Sequence, residues 1–156
     1  MRKEIILKLI KKSPGISYNE IVRETNLSNG VISHYLIKLL ENDNIEKEGT
    51  KRGKYFLKNI PKKDRMLITS LRNKTNNDVF KILMKDSDEN IIHSAKEIAK
   101  MIKKSNSTIS VSLKMLQRNK VIERIILNKS TKLTNDLGYK IYNKKNWIRF
   151  FEKYNL

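Results

Sequence analysis

The chain has 156 residues, a formal net charge of +18 and 38% hydrophobic residues, which suits one ordinary domain or two small ones. It contains no Cys, and this excludes disulfides, thiolate zinc sites, iron–sulfur clusters and cysteine nucleophiles. Its apolar runs are too short for a signal peptide or a membrane span, so we expect a cytoplasmic protein with no membrane partner.

The first 60 residues predict three helices followed by a β-hairpin. Arg2–Lys12 places its apolar residues on one helical stripe and ends at a Ser-Pro-Gly turn. Ser17 and Glu20 form the S-x-x-E pattern of a capping box, which starts a short second helix. Apolar residues at helical spacing predict a third helix over Asn29–Asn42. Two strands joined by a Gly-flanked turn complete this part, at Ile45–Glu48 and Lys54–Leu57.

The rest of the chain predicts a second run of the same elements. Residues 61–77 are expected to form a basic helical linker, and residues 135–156 a C-terminal amphipathic helix. Between them the predicted elements are a helix at Asp78–Lys85, a capping box at Ser94 and Glu97, a helix at Ser107–Asn119, and strands at Val121–Leu127 and Lys132–Thr134.

An internal duplication explains this second run. Shifting the sequence by 77 positions aligns Ser17–Glu46 with Ser94–Glu123 without a gap, and 12 of the 30 aligned residues are identical. Composition alone would give about two or three matches, so the chain contains one structural unit copied once.

Positive charge is spread along both copies. Residues 1–60 carry 12 basic and 7 acidic side chains, residues 61–77 carry 5 and 1, and residues 78–156 carry 17 and 8. A codon bias toward Lys, Asn and Ile contributes to this excess, but such a bias does not remove Asp and Glu. The excess attracts polyanions, so the charge favours a nucleic-acid partner and two basic modules.

This order of helices and hairpin resembles the winged helix-turn-helix fold. Ser28–Lys47 and Ser105–Arg124 are similar to the recognition-helix-to-wing pattern of ArsR- and MarR-type regulators, and Leu133–Gly138 resembles their L-T-x-x-G segment. The resemblance implies a mainly α fold with small β-hairpins (α+β), built as two tandem winged helix-turn-helix domains at residues 1–60 and 78–134. Together with the compositional bias, it is typical of archaeal proteins.

The resemblance places the third helix of each copy in a DNA major groove. Apart from Arg118 in the last turn of the second copy, neither helix carries the Arg that most often reads guanine, so we expect weak direct readout and a preference for A·T-rich double-stranded DNA. The expected contacts on the helices are Asn29, Gly30, Val31, Ser33, His34 and Lys38 in the first copy, and Asn106, Ser107, Thr108, Ser110, Lys114 and Arg118 in the second.

The hairpin turns are the expected wings. They carry Lys51, Arg52 and Lys54 in the first copy and Lys129 and Lys132 in the second. Arg52, which precedes a Gly on a flexible turn, is the candidate for insertion into a narrow minor groove.

The C-terminal segment carries a wide apolar stripe after both copies are complete. Its members are Trp147, Ile148, Phe151 and Tyr154. Either this helix packs on the winged domains or it joins a second chain in a homodimer.

No constellation of catalytic or metal-binding residues is visible, and we expect neither an enzyme nor a cofactor. The sequence therefore favours a DNA-binding transcriptional regulator that blocks or recruits the basal transcription machinery. The alternatives are a winged-helix interaction subunit of a chromosome-partition or polymerase complex, and a replication initiator.

Overall fold

The computed structural model describes residues 1–128 and 136–156, which divide into two compact units. Unit 1 contains Met1–Thr69 together with Phe151–Leu156, and unit 2 contains Ser70–Phe150. The expected wing residues Lys129 and Lys132 lie outside the described residues, as does the L-T part of the segment that resembles a wing end.

Unit 1 has the predicted order of elements. Its sheet is antiparallel with strand order β1-β3-β2, and Ile16 lies opposite Tyr55 while Ile45 lies opposite Leu57. The predicted bounds of the first helix and of the two hairpin strands are confirmed. The elements are α1 (Arg2–Lys12), β1 (Ile16–Ser17), α2 (Tyr18–Thr25), α3 (Asn29–Glu41), β2 (Ile45–Glu48), β3 (Lys54–Leu57) and α4 (Lys62–Arg72), which belongs to unit 1 up to Thr69.

Unit 2 repeats this order with a longer hairpin. An isolated antiparallel bridge joins His93 to Tyr139, and His93 is the residue aligned with Ile16 of β1. The elements are α5 (Lys74–Glu89), α6 (Ala95–Ile102), α7 (Asn106–Arg118), β4 (Ile122–Asn128), β5 (Asp136–Ile141) and α8 (Lys144–Tyr154), which belongs to unit 2 up to Phe150. The prediction of a mainly helical fold with small antiparallel sheets is confirmed.

The duplicated positions form the cores of both units. Both predicted capping boxes are present, at Ser17 with Glu20 and at Ser94 with Glu97. The aligned pairs that are buried in both copies are Ile21 and Ile98, Ile32 and Ile109, Leu36 and Leu113, Leu39 and Leu116, and Ile45 and Ile122. The repeat in the sequence is therefore a repeat of packing as well as of helix starts.

Two predicted boundaries are wrong. The C-terminal helix does not start near residue 135, because Asp136–Ile141 is a strand paired with β4, with Ile122 opposite Ile141; the helix begins at Lys144. The predicted linker at 61–77 is helical, but its end at residue 77 is wrong, because α5 begins at Lys74. It contains α4 and the first turn of α5, whose start is capped by the Asn73 side chain, which accepts a hydrogen bond from the backbone amide of Asn76 at 3.2 Å.

No helix in the described part of the chain combines the length and the apolar character that crossing a membrane requires.

Candidate nucleic-acid interface

Helix α3 separates a buried face from an exposed one. Ile32, Leu36 and Leu39 are buried in the core of unit 1, so residues on the other side of the helix face outward. Of the expected DNA contacts, Asn29, Gly30, His34 and Lys38 are exposed, and Val31 and Ser33 are half-buried. All six thus lie off the buried stripe of α3.

The start of α3 is held from the side by Tyr18, the first residue of α2. The Tyr18 hydroxyl donates to the Asn29 carbonyl at 2.9 Å and lies 3.0 Å from the Ser33 hydroxyl. Ser28, at the N-cap position, makes no side-chain capping bond. Tyr18 was not among the residues singled out from the sequence, since only the fold brings it to α3.

The turn between β2 and β3 carries the expected wing cations of unit 1. Lys51 and Arg52 are both exposed. The Lys47 ammonium donates to the Thr50 carbonyl at 3.4 Å, and its aliphatic chain runs beside Gly53, where an added Cβ would lie 2.1 Å from Lys47 Cε. A side chain at position 53 would therefore displace the flexible Lys47 side chain from this turn.

Lys54, the third expected wing residue, has a structural partner. Its ammonium lies 3.6 Å from Glu20 Oε2, and Glu20 is the acid of the α2 capping box. Two hydrogen bonds from Ser17 to Glu20 hold that carboxylate in place. Lys54 consequently ties the hairpin to the start of α2, whereas Lys51 and Arg52 point their charge to solvent.

Helix α7 presents its expected contacts differently. Asn106, Ser107, Thr108, Lys114 and Arg118 are exposed, and Ser110 is half-buried. The Ser105 hydroxyl accepts from the Thr108 amide at 3.2 Å, and it also lies 3.0 Å from the Ser107 hydroxyl and 2.8 Å from the Thr108 hydroxyl. The start of α7 is therefore closed by its own serine and threonine side chains.

A buried Arg reduces the free charge of the segment predicted as a basic linker. Arg65 of α4 is 9% exposed at its side chain and is paired with two glutamates of β2, Glu46 and Glu48, the latter at 3.2 Å. Glu46 also pairs with the Lys58 ammonium at 2.7 Å. Sequence reasoning missed this cluster, because nothing in the local pattern shows that β2 faces α4.

Unit 2 has a buried carboxylate, that of Asp86, at the position where unit 1 has the aliphatic side chain of Leu9. Asp86 and His93 align with Leu9 and Ile16, and His93 Nε2 lies 3.4 Å from Asp86 Oδ2. Burial raises the pKa of Asp86, and the nearby His93 opposes that rise. On the other side, His93 Nδ1 lies 3.8 Å from Glu97 Oε2. Hydrogen bonds from the backbone and side chain of Ser94 lower the pKa of Glu97.

The C-terminal stripe is partly used within the chain. Trp147 is buried, and its indole N–H donates to the Tyr142 carbonyl at 2.7 Å. Tyr154 is buried and donates from its hydroxyl to Asp64; desolvation, and secondarily this carboxylate, raise the pKa of Tyr154. Phe151 is half-buried and Ile148 is exposed. A homodimer through this helix stays a proposal that would rest on Ile148 and its neighbours.

A comparison with protein families finds a match in the first part of the chain. Residues 1–68 match a family model described as an N-terminal HTH domain, HTH_HVO_0163_N. A comparison with curated proteins finds no match.

Three solved structures are similar at low identity. ScpB from Mycobacterium tuberculosis has 10% identity and a TM-score of 0.37, over 99% of this chain and 95% of that chain. The DIP2311 protein from Corynebacterium diphtheriae has 14% identity and a TM-score of 0.32, over 90% of this chain and 26% of that chain. A conserved hypothetical protein from Chlorobium tepidum has 12% identity and a TM-score of 0.32, over 99% and 98%. At such low TM-scores these likenesses carry no argument about function.

The family match and the outward face of α3 agree on one conclusion. The matched residues contain α1 to α3, the hairpin and its exposed cations. They support a helix-turn-helix DNA-binding protein.

Proposed function

We propose that this protein is a transcriptional regulator that binds double-stranded DNA through two winged helix-turn-helix domains of the ArsR/MarR-like type. The observation that carries the proposal is the outward face of α3 together with the exposed cations Lys51 and Arg52, inside the segment that matches an HTH domain. Support for a second such domain comes from unit 2, which repeats the order of helices and hairpin.

In this proposal α3 enters a major groove and the turn between β2 and β3 follows the adjacent minor groove. Lys38 and Lys51 neutralise phosphates, and Arg52 enters the minor groove, which is narrowest and most negative in A·T-rich tracts. Unit 2 applies α7 in the same way through Lys114 and Arg118. Occupancy of the site then blocks or recruits the basal transcription machinery, with no cofactor and no chemical step.

A salt titration of duplex binding tests the proposal. Affinity for an A·T-rich and a G·C-rich duplex is measured by fluorescence anisotropy between about 0.05 and 0.3 M salt. Neutralising on the order of 6–10 phosphates gives a log–log slope of roughly −5 to −9. We expect tighter binding to the A·T-rich duplex at every salt concentration.

The Arg52→Glu variant tests whether the turn between β2 and β3 contacts DNA. The variant is expected to bind roughly tenfold more weakly at about 0.1 M salt and to flatten the slope by about one or two. Arg149→Glu changes the charge equally at an exposed position of α8 and is the matched control. An unchanged slope in Arg52→Glu would remove the wing from the site.

The rivals predict different outcomes of the same titration. A subunit of a chromosome-partition or polymerase complex that works by protein contacts would show no duplex binding at about 0.1 M salt, since phosphate contacts of that number dominate affinity. A replication initiator would bind, but genomic footprints would lie at an origin instead of at promoters.

A further inference from the structure

The hydroxyl of Ser33 has a fixed hydrogen-bonding direction. A phenol carries one hydrogen, and Tyr18 donates its hydrogen to the Asn29 carbonyl at 2.9 Å. The contact of 3.0 Å between Tyr18 and Ser33 must then use the hydrogen of Ser33. Ser33 therefore donates inward to Tyr18 and has only lone pairs left for a partner outside the helix.

The second copy lacks this constraint. Ser110 aligns with Ser33 and is likewise half-buried, but the residue aligned with Tyr18 is Ala95, which has no hydroxyl. A free serine hydroxyl can rotate to donate or to accept, so it contacts several bases equally well. Ser110 is consequently not restricted to accepting a hydrogen bond from a ligand.

The middle of the outward face also differs between the copies. His34 and Lys38 of α3 are exposed and able to donate hydrogen bonds. The residues aligned with them in α7 are Val111 and Met115, which are 63% and 40% exposed. Base edges are distinguished mainly by hydrogen bonds, so at these two positions α3 has the means for direct readout and α7 does not.

We infer that unit 1 selects the base sequence, with Ser33 as an acceptor for an exocyclic amino group in the major groove and Tyr18 as the residue that sets its polarity. Unit 2 then supplies affinity, and its aligned positions Ser110, Val111 and Met115 add no such polarity. Adenine N6 and cytosine N4 are the two amino groups that a major groove displays, and both are donors. The inference rests on the proposed function, because it requires that α3 faces a duplex.

The experiment compares base preference in four proteins. Every base pair of the best-bound duplex is substituted in turn, and affinities are measured for the unaltered chain, Tyr18→Phe, Ser33→Ala and Ser110→Ala. We expect the unaltered chain to lose about five- to tenfold in affinity when one amino-bearing base is replaced. Ser33→Ala and Tyr18→Phe should each abolish that preference, although Tyr18→Phe retains the serine.

The double variant Tyr18→Phe/Ser33→Ala should show no further loss of base preference than either single variant, because the two residues act through one hydrogen bond to DNA. Ser110→Ala is the matched comparison in the second copy: it should lower the affinity for every duplex to the same extent and keep the preference. Tyr55→Phe is the control for removing a phenol hydroxyl from the core of unit 1. Unfolding midpoints of all variants separate a loss of fold from a loss of contact.

Base analogues distinguish the two sources of the amino group. Purine deoxynucleoside replaces adenine without its N6 amine, and 2-pyrimidinone deoxynucleoside replaces cytosine without its N4 amine. The analogue that reproduces the loss in the unaltered chain, and has no effect in Ser33→Ala, identifies the base. A preference that survives in Tyr18→Phe would overturn the inference while leaving the proposed function intact. Absence of any duplex binding by the unaltered chain would overturn both.

Discussion

Gly30 lies at the exposed start of α3, where glycine has no structural reason within the described residues. An added Cβ would meet no atom within 4 Å, and the backbone there does not have a positive φ. Gly is less favourable than Ala in a helix by roughly 0.5–1 kcal/mol. Gly30→Ala is therefore expected to raise the free energy of unfolding by about 0.5 kcal/mol, measured by urea denaturation.

The same substitution should weaken DNA binding if the backbone of α3 approaches the duplex closely. We expect about a threefold to tenfold loss of affinity, because a methyl group would enter the contact. Ser107→Ala, at the aligned position of α7, is the matched comparison. A more stable Gly30→Ala protein with unchanged affinity would show that Gly30 lies outside the interface.

Asp86 gives unit 2 a defined pH dependence. Desolvation raises the pKa of this carboxyl above its ordinary value of 3.8, an effect that His93 and Lys85 oppose and Glu89 reinforces. Because folding favours the protonated form, the contribution of Asp86 to stability is fully present below the unfolded pKa. It is lost as the pH rises through the raised folded pKa.

We therefore expect Asp86→Asn to flatten the pH dependence of the unfolding midpoint on the acid side of neutrality. At neutral pH the amide avoids the cost of a buried carboxylate, so the variant should be at least as stable as the unaltered chain. Asp88→Asn removes an exposed carboxylate from the same helix and is the control. Equal pH profiles for Asp86→Asn and the unaltered chain would contradict this account.

At the scale of elements, α4 is joined to β2 by charge. Arg65 is buried against Glu46 and Glu48, and removing it would leave two neighbouring carboxylates with less compensation. Breaking a buried pair costs 3–5 kcal/mol, but both glutamates are about one-third exposed, so solvent screens part of the effect.

Arg65→Met should destabilise unit 1 by about 2 kcal/mol in urea denaturation. Lys58→Met removes a half-exposed cation from the same glutamate and should cost less than about 1 kcal/mol. If the two variants lose equal stability, the burial of Arg65 has no special role in holding α4.

Local signals predicted the elements that depend on neighbouring residues. The capping boxes at Ser17 and Ser94 and the apolar spacing of Asn29–Glu41 fix helix starts and faces without reference to the rest of the chain. The outward face of α3, which is the candidate site, followed from that spacing. The repeat then carried the same prediction to α7.

Pairings between distant residues could not be predicted in this way. Leu137 and Ile141 are spaced as on one face of a helix and also fit an alternating strand, and pairing with β4 decides for the strand. An added Cβ at Gly138 would lie 2.3 Å from the Ile92 side chain, so this glycine admits a close neighbour that the sequence does not reveal. The contacts of Tyr18 with α3 and of Arg65 with β2 likewise join residues that are distant in the sequence.

At the scale of the whole molecule, the charge of +18 acts on stability and on binding with opposite signs. Like charges repel in the folded chain, and dissolved salt screens that repulsion. Salt also removes the gain from counterion release when a basic protein binds DNA. Changing the salt concentration therefore separates the effect of the charge on folding stability from its effect on DNA affinity.

Raising sodium chloride from about 0.05 to 0.5 M should stabilise the free protein by about 1 kcal/mol, which corresponds to a rise of roughly 2–4 °C in the thermal midpoint. Over the first part of that range, duplex affinity should fall by about 10³-fold or more. Potassium chloride at equal concentration is the control, because screening depends on ionic strength and not on which of these cations is used. A thermal midpoint that falls with salt would mean that ion pairs such as Lys144 with Asp88 outweigh the repulsion. The excess of cations would then destabilise the folded chain less than its net charge suggests.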